Sequence, residues 1–394
     1  MGQVKTCTLV STVGTSLFTN LNRLLHKSLT PDDHTKIKGL EPRIIEKIKR
    51  HYEASNWQAL GQALTELPCD AYICGAEINS INALSKKDWL GVWRIIFLVS
   101  DTEAGKQTGE VLIAYFGNCK EKFGLQKTEY RCIKDLQDAR PWDFRTMGLR
   151  NLVREIGNIY KEVGGSPYLI IDATGGYKAQ IAVASLIGVA LDVDVYYRHE
   201  KFGDIISFPP LPVTFDYELI GRYGRLLHAF EESMQLTEDE TDSIDEELKI
   251  LLDQEIIDDK LYWALSPIGE IFLTGFRLRN PKPVELPNAL PEERKPPEFP
   301  VHHYPIGFKD YVRKVWSNTP WITRCVTEDY SGQAGMKKNG FDLREEPGGN
   351  FVIIGIYVDH SGFAGRFKVL TTSAKRTELG WAVDYLNQKF AGSE

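Results

Sequence analysis

Hydrophobic positions divide the 394-residue chain into three stretches of different rhythm. Over roughly residues 1–210, short apolar runs alternate with longer amphipathic ones. The runs predict strands at Thr6–Ser11, Ala71–Gly75, Trp93–Ser100, Tyr168–Asp172 and Leu191–Arg198. Between them the pattern predicts helices at Phe18–Leu29, Arg43–Glu66, Gly105–Lys120 and Asp143–Val163. Such alternation implies an α/β fold with a mostly parallel, doubly wound sheet. From 213 to 280 the rhythm becomes helical, over Tyr217–Ser233 and Ile244–Gln254. A strand–turn–strand follows over Ile256–Ala264, then a helix opened by Ser266 as N-cap and Pro267 at its first position. Residues 281–300 contain seven prolines and read as an extended linker and domain boundary. Residues 301–394 read as a small α+β unit: a helix at Phe308–Trp316, a segment Trp321–Glu328, strands at Phe341–Arg344, Phe351–Val358 and Arg366–Thr371, and a closing helix Thr377–Phe390. Loops this short between neighbouring strands imply an antiparallel sheet.

Chemistry concentrates at two strand-to-helix turns of the first region. One follows Cys7–Ser11 and carries Gly14, Thr15 and Ser16. The other follows Leu169–Ile171 and carries Asp172, Thr174, Gly175, Gly176 and Lys178. Glycines without Cβ let backbone press against a ligand. Free N–H groups at a helix start, a lysine and small hydroxyls suit a phosphodiester at the carboxyl edge of a parallel sheet. Asp101 and Thr102 follow another apolar strand at that edge; they either cap the next helix or face the ligand. Asp172 either caps its turn or positions a ribose.

Together with Gly75-Ala76-Glu77-Ile78-Asn79-Ser80 and Ser100-Asp101-Thr102-x-x-Gly105, these turns resemble the CRISPR-associated Rossmann fold (CARF) sensor domain over residues 1–212. The resemblance implies a homodimer that binds a cyclic oligoadenylate, by analogy cyclic tetra-adenylate, across its two-fold axis. The residues implied in that site are Gly14, Thr15, Ser16, Asn79, Asp101, Thr102, Asp172, Thr174, Gly175, Gly176 and Lys178. Residues 213–280, helices followed by a small hairpin, resemble a winged helix-turn-helix.

Charge changes how that second region is read. Between Glu231 and Asp259 there are thirteen carboxylates against one cation, Lys249. Phosphates are repelled by such a surface, so a structural coupler or a dock for a basic partner is favoured over a DNA reader. The overall net charge of −7 points the same way. Six scattered cysteines without a CxxC pair argue against zinc and for reduced thiols in the cytoplasm. No secretory signal and no apolar run near the ~18–20 residues of a membrane span are present.

In residues 301–394 the balance turns positive around the strands, through Lys337, Lys338, Arg344, Arg366, Lys368, Lys375 and Arg376. A basic sheet closed by a helix, with Arg366–Glu378 as last strand, Lys-Arg turn and helix start, resembles the RelE family of ribosome-dependent mRNA interferases. The resemblance implies metal-free attack of an mRNA 2′-hydroxyl on its own phosphate in the ribosomal A site, leaving a 2′,3′-cyclic phosphate. Those seven cations are the implied catalytic set, with Arg376 foremost; each could equally belong to a solvated face. Gly340 and Asp342 stand where the family has lysines, and Lys337 and Lys338 are expected to take over that role. Trp381 or Tyr385 either stacks on a base or is core. The combined reading is a cyclic-oligoadenylate-activated endoribonuclease of type III CRISPR defence, with the ribosome (A site and stalk protein) and mRNA as partners and no membrane or cofactor. The rival reading is a cyclic-oligoadenylate-gated DNA-binding transcription regulator.

Overall fold

A computed structural model describes residues 5–26, 38–87, 90–199, 204–212, 218–241, 244–279, 286–333 and 335–392. The chain divides into two compact units, Met1–Val213 and Thr214–Glu394.

The first unit is built on a six-stranded sheet: β1 Lys5–Thr12, β2 Leu90–Ser100, β3 Lys127–Ile133, β4 Leu169–Asp172, β5 Asp194–Arg198 and β6 Ile205–Phe208. Their order is β3-β2-β1-β4-β5-β6, and all neighbours run parallel except β5 and β6. Strand β4 is buried end to end, β1 over Cys7–Thr12 and β2 over Arg94–Ser100, as sheets covered on both faces require. Strand order reverses between β1 and β4, which puts the switch-point crevice of such sheets at their carboxyl edge, where the loops leaving these two strands meet.

Three expectations change here. Residues 72–85 are not a strand. Tyr72–Cys74 is a 3₁₀ turn that feeds a buried helix, Gly75–Ser85, whose polar side chains point inward. The long helix expected at Arg43–Glu66 breaks at Asn56 into Pro42–Glu53 and Trp57–Leu64, with the Asn56 side chain capping the second. Strand β3 was absent from the hydrophobic pattern because it is an edge strand with charges on it. Its Arg131 pairs with Glu155 and Glu162, and its Glu129 with Arg94.

The second unit starts with helices Glu218–Arg222 and Gly224–Glu232, broken at Tyr223. A three-stranded antiparallel sheet follows, β7 Leu236–Thr237, β8 Leu252–Ile257 and β9 Lys260–Leu265, and then helix Pro267–Arg279. Asp258 and Asp259 turn the hairpin with left-handed φ of 50° and 59°. This two-residue turn sets a register that reaches back to Leu252 opposite Leu265. The helix expected over Ile244–Gln254 is therefore one turn, Glu246–Lys249. Ser266 does cap the next helix, accepting from Gly269 N at 3.1 Å.

The terminal sheet has the order β10-β13-β12-β11, all antiparallel: β10 Ile322–Gln333, β11 Gly340–Glu345, β12 Phe351–Val358 and β13 Phe363–Thr371. Helices Phe308–Ser317 and Arg376–Phe390 cover one face over a core of Phe341, Leu343, Ile353, Phe367 and Val369. The proline-rich stretch does not behave as a free spacer. Within its described part, 286–300, Leu286 is buried in this core, Ala289 N and Lys295 N donate to Pro320 O and Thr323 O, and Glu298 bridges to Val326 of β10. Prolines cannot lengthen a sheet, yet they hold this strap extended along its edge. The first helices of the unit also pack on the terminal sheet. Gly221 lies so close to Gly380 that a Cβ would sit 3.2 Å from its Cα, and Arg225 N donates to Asp342 Oδ1 at 2.9 Å. Arg277 then ties three helices together, reaching Glu231 at 2.5 Å and Asp384 at 2.6 Å. No described helix is long and apolar enough to cross a membrane.

Candidate functional site

At the crevice, the turn after β1 and the turn after β4 lie back to back. A Cβ on Gly14 would stand 2.7 Å from Gly176 N, and one on Gly175 2.1 Å from Glu77 Oε1. The glycines expected to let backbone approach a ligand thus first let the two turns approach each other. Gly176 also needs its φ of +105°.

Asp172 is fully buried and anchors the second turn. Its Oδ1 accepts from Thr174 N and Oγ1, at 3.2 and 2.6 Å; its Oδ2 accepts from Ser80 Oγ and Ser11 Oγ, at 2.5 and 3.2 Å. This favours the turn-capping alternative over ribose contact. Burial pushes the Asp172 carboxyl up, and its four hydrogen bonds oppose that. Thr174 Oγ1 accepts in turn from Arg198 N at 2.9 Å. Asn79 is also internal: its Nδ2 donates to Cys69 O and Ala71 O, and its Oδ1 accepts from Arg198 Nη1.

Glu77 is the residue the motif reading passed over. It is fully buried on helix Gly75–Ser85, and its Oε1 accepts from Gly14 N at 2.8 Å while Ser16 Oγ donates to Oε2 at 3.5 Å. Burial pushes its carboxyl up to about 7; the Gly14 N–H pulls down, and the Asp172 charge adds to the rise. One side chain therefore holds the first turn and blocks space beside the second. The available signal was the lone carboxylate of a helix whose other buried polar side chains, Asn79, Ser80 and Asn82, are small and uncharged. Exposed at the rim are Thr15 and Lys178, with Ser16 and Gly176 half-buried.

Asp101 and Thr102 do not join this group. Thr102 Oγ1 accepts from Gly105 N at 3.0 Å, as a helix cap. Asp101 leans toward the loop after β3, accepting from Asp135 N, and pairs with Lys106 at 3.0 Å. That lysine, chiefly, holds its carboxyl below the usual range.

Residues 72–211 match the model of a family described as a CRISPR-associated protein (Cas_APE2256). No curated protein matches the chain. The span similar to this CRISPR-associated family contains Glu77, Asn79, Asp172 and the Thr174–Lys178 turn, and stops short of Gly14–Ser16.

The terminal sheet carries the second cluster, on the face away from its helices. Cross-strand register places Arg344 opposite Val352, Lys368 opposite Ile354 and Arg366 opposite Ile356. Arg376 starts the last helix with its guanidinium 4.4 Å from the Phe351 ring centre. Arg344, Lys368, Arg376 and the exposed Lys375 thus gather toward the Phe351 end. Each has a carboxylate partner: Glu328 for Arg344, Glu346 for Lys368, Glu218 for Arg376 at 2.7 Å and Glu378 for Lys375 at 3.0 Å.

Lys337 and Lys338 do not take over roles at that end. They precede Gly340, which pairs with Ile356, so antiparallel geometry puts them at the opposite end of the sheet, roughly 20 Å along the strand from Arg344. Trp381 packs between the terminal core and the cluster around Phe272, and Tyr385 lies against Trp321; both serve the core. In the acidic run, Glu231 is held by Arg277, Glu232 by His228 and Glu247 by Arg222. The helix turn before the hairpin, where a winged helix reads DNA, carries Glu246 and Glu247. Among the described residues no group of three or more His, Cys, Asp or Glu is placed to hold a metal.

Proposed function

We propose that this chain is a cyclic-oligoadenylate-gated, ribosome-dependent mRNA endoribonuclease of type III CRISPR defence. In this reading a CARF sensor is followed by a winged-helix coupler and a RelE-like nuclease. The observation that carries it is the CRISPR-associated family match over 72–211, which falls on the segment that builds the switch-point crevice. The same chain ends in an antiparallel sheet with Arg344 and Lys368 on its open side and Arg376 at the start of the helix that covers the other, over Phe351. The messenger would lie over the rim of Thr15, Ser16, Gly176 and Lys178 in a dimer. Exposed Leu186, Ile206 and Phe208 offer the first unit apolar surface for a second copy. Binding drives a change only in so far as the active state holds the messenger better.

In the nuclease the mRNA 2′-oxygen bonds to the adjacent phosphorus and the bond to the 5′-oxygen breaks, leaving a 2′,3′-cyclic phosphate and a 5′-hydroxyl. The phosphorane gains negative charge, which in this reading Arg376 meets, with Arg344 and Lys368 at the same end of the sheet guiding the RNA backbone. Glu218, Glu328 and Glu346 hold these cations in the described state. Exposed pairs contribute about 0–1 kcal/mol each, so an incoming phosphate can displace them.

The test is primer extension on translating ribosomes with and without cyclic tetra-adenylate. Messenger-dependent cuts at A-site codons, reduced about 10²–10³-fold in Arg376→Ala, are expected. Equal cutting by the variant would remove Arg376 from the mechanism, and duplex-DNA binding without cutting would restore the regulator reading.

A further inference from the structure

Lys337 and Lys338 sit in a cleft of about 400 Å³ at the far end of the terminal sheet, where the β12–β13 turn meets helix Gly224–Glu232. Three separate elements converge there. Arg225 and His228 come from the helix, the two lysines from the approach to β11, and His360 and Ser361 from the turn. The wall is fixed rather than mobile: Lys338 Nζ donates to Ser233 Oγ at 2.7 Å, and Arg225 lies 3.6 Å from Asp342. Two carboxylates line the cleft. Glu232 faces His228 at 3.4 Å, and Asp359 accepts from Ser361 N and Oγ, Phe363 N and Ile306 N. Lys337 and His360 have no ion-pair partner among the described residues, unlike Arg344, Lys368, Lys375 and Arg376 at the other end.

From this we infer a second anion site, distinct from the Arg376 cluster, that takes the phosphodiester backbone of single-stranded RNA. Its volume suits a nucleotide-sized group. Cations on several elements around a concave wall are the electrostatic footprint of a phosphate chain. The one phenol ring in the wall, Tyr357, gives its hydroxyl to Ile306 O and packs tilted against Tyr311, so it is already engaged and the site offers chiefly charge and hydrogen bonds. The inference rests on the nuclease reading only for why RNA arrives; the Arg376 end cuts and this end grips.

Fluorescence polarisation of a labelled single-stranded RNA oligonucleotide against the full-length protein, over a salt series, tests it. Lys337→Ala/Lys338→Ala should weaken binding about tenfold and flatten the log–log salt slope by about 1. Lys337→Glu, which changes an exposed side chain, should weaken it at least as much with an unchanged melting curve. Unaltered affinity and slope in both variants would overturn the site. So would displacement of the RNA by polyglutamate at matched charge, which would mark an acidic-peptide seat. Cutting on ribosomes without binding in this assay leaves the nuclease reading standing and removes this one; binding without cutting does the reverse.

Discussion

The crevice between β1 and β4 and the cation face of the terminal sheet both gather polar side chains beside a sheet, but they are held in opposite ways. In the crevice, two buried carboxylates serve hydroxyls and backbone N–H groups, and no cation among the described residues neutralises them at contact distance. At the cation cluster of the terminal sheet, Glu328, Glu346 and Glu218 each meet a lysine or arginine near solvent. Low-dielectric hydrogen bonds are costly to break one at a time, whereas exposed ion pairs exchange partners cheaply. The first arrangement suits a preformed mould and the second a surface whose anion can be replaced.

The contrast is broken most directly at Asp172. Asp172→Ala leaves the hydroxyls of Ser11, Ser80 and Thr174 without their acceptor in a fully buried place and is expected to cost about 3 kcal/mol or more. Asp172→Asn, which keeps an acceptor and offers its amide to the serine oxygens, should cost less than half of that. Urea denaturation followed on the first unit measures both, and an alanine variant as stable as wild type would mean that the mould is not preformed.

Glu77 sharpens the comparison through pH. Its folded-state value of about 7 lies above the ordinary 4.5, so ionising it opposes folding. Its contribution is intact below about pH 4.5 and is lost as pH rises through 7. Wild type should therefore lose stability relative to Glu77→Gln over that window, by up to about 3 kcal/mol. Asp172, the other carboxylate facing it, is shifted the same way but is common to both proteins. Melting temperatures at pH 5 and 7.5 read the difference, and parallel curves would contradict a buried, shifted Glu77.

The smallest expected effect is at the exposed cluster. Glu218→Gln should change stability by no more than about 1 kcal/mol, because its pair with Arg376 is half-exposed. It should raise messenger-independent cutting on ribosomes a few-fold, by freeing Arg376. A drop in cutting would show that Glu218 positions Arg376 instead of occupying it.

Much of this was legible along the chain, and the gaps have physical causes. Parallel strands buried on both faces announce themselves as apolar runs, so β1, β2 and β4 were readable, as were β12 and the closing helix. Both turns at the switch point were readable from glycine beside small hydroxyls. What stayed hidden depends on partners distant in sequence. Glu77 matters because Gly14 lies against it across 63 residues, and the Arg376–Glu218 pair joins opposite ends of the second unit. Lys337 and Lys338 were read as stand-ins for basic residues within the strand they precede, but the pairing of Gly340 with Ile356 and of Arg344 with Val352 sets them a strand's length from Arg344. The carboxylate found on Arg376, Glu218, lies outside the acidic run 231–259, where the charge pattern drew attention.

The strap at 286–300 and the helices at 218–232 close the two open edges of the terminal sheet, along β10 and beside β11. Both precede every strand they cover. During synthesis the covers leave the ribosome before the sheet does, so its edges meet a waiting partner as they form rather than another nascent chain.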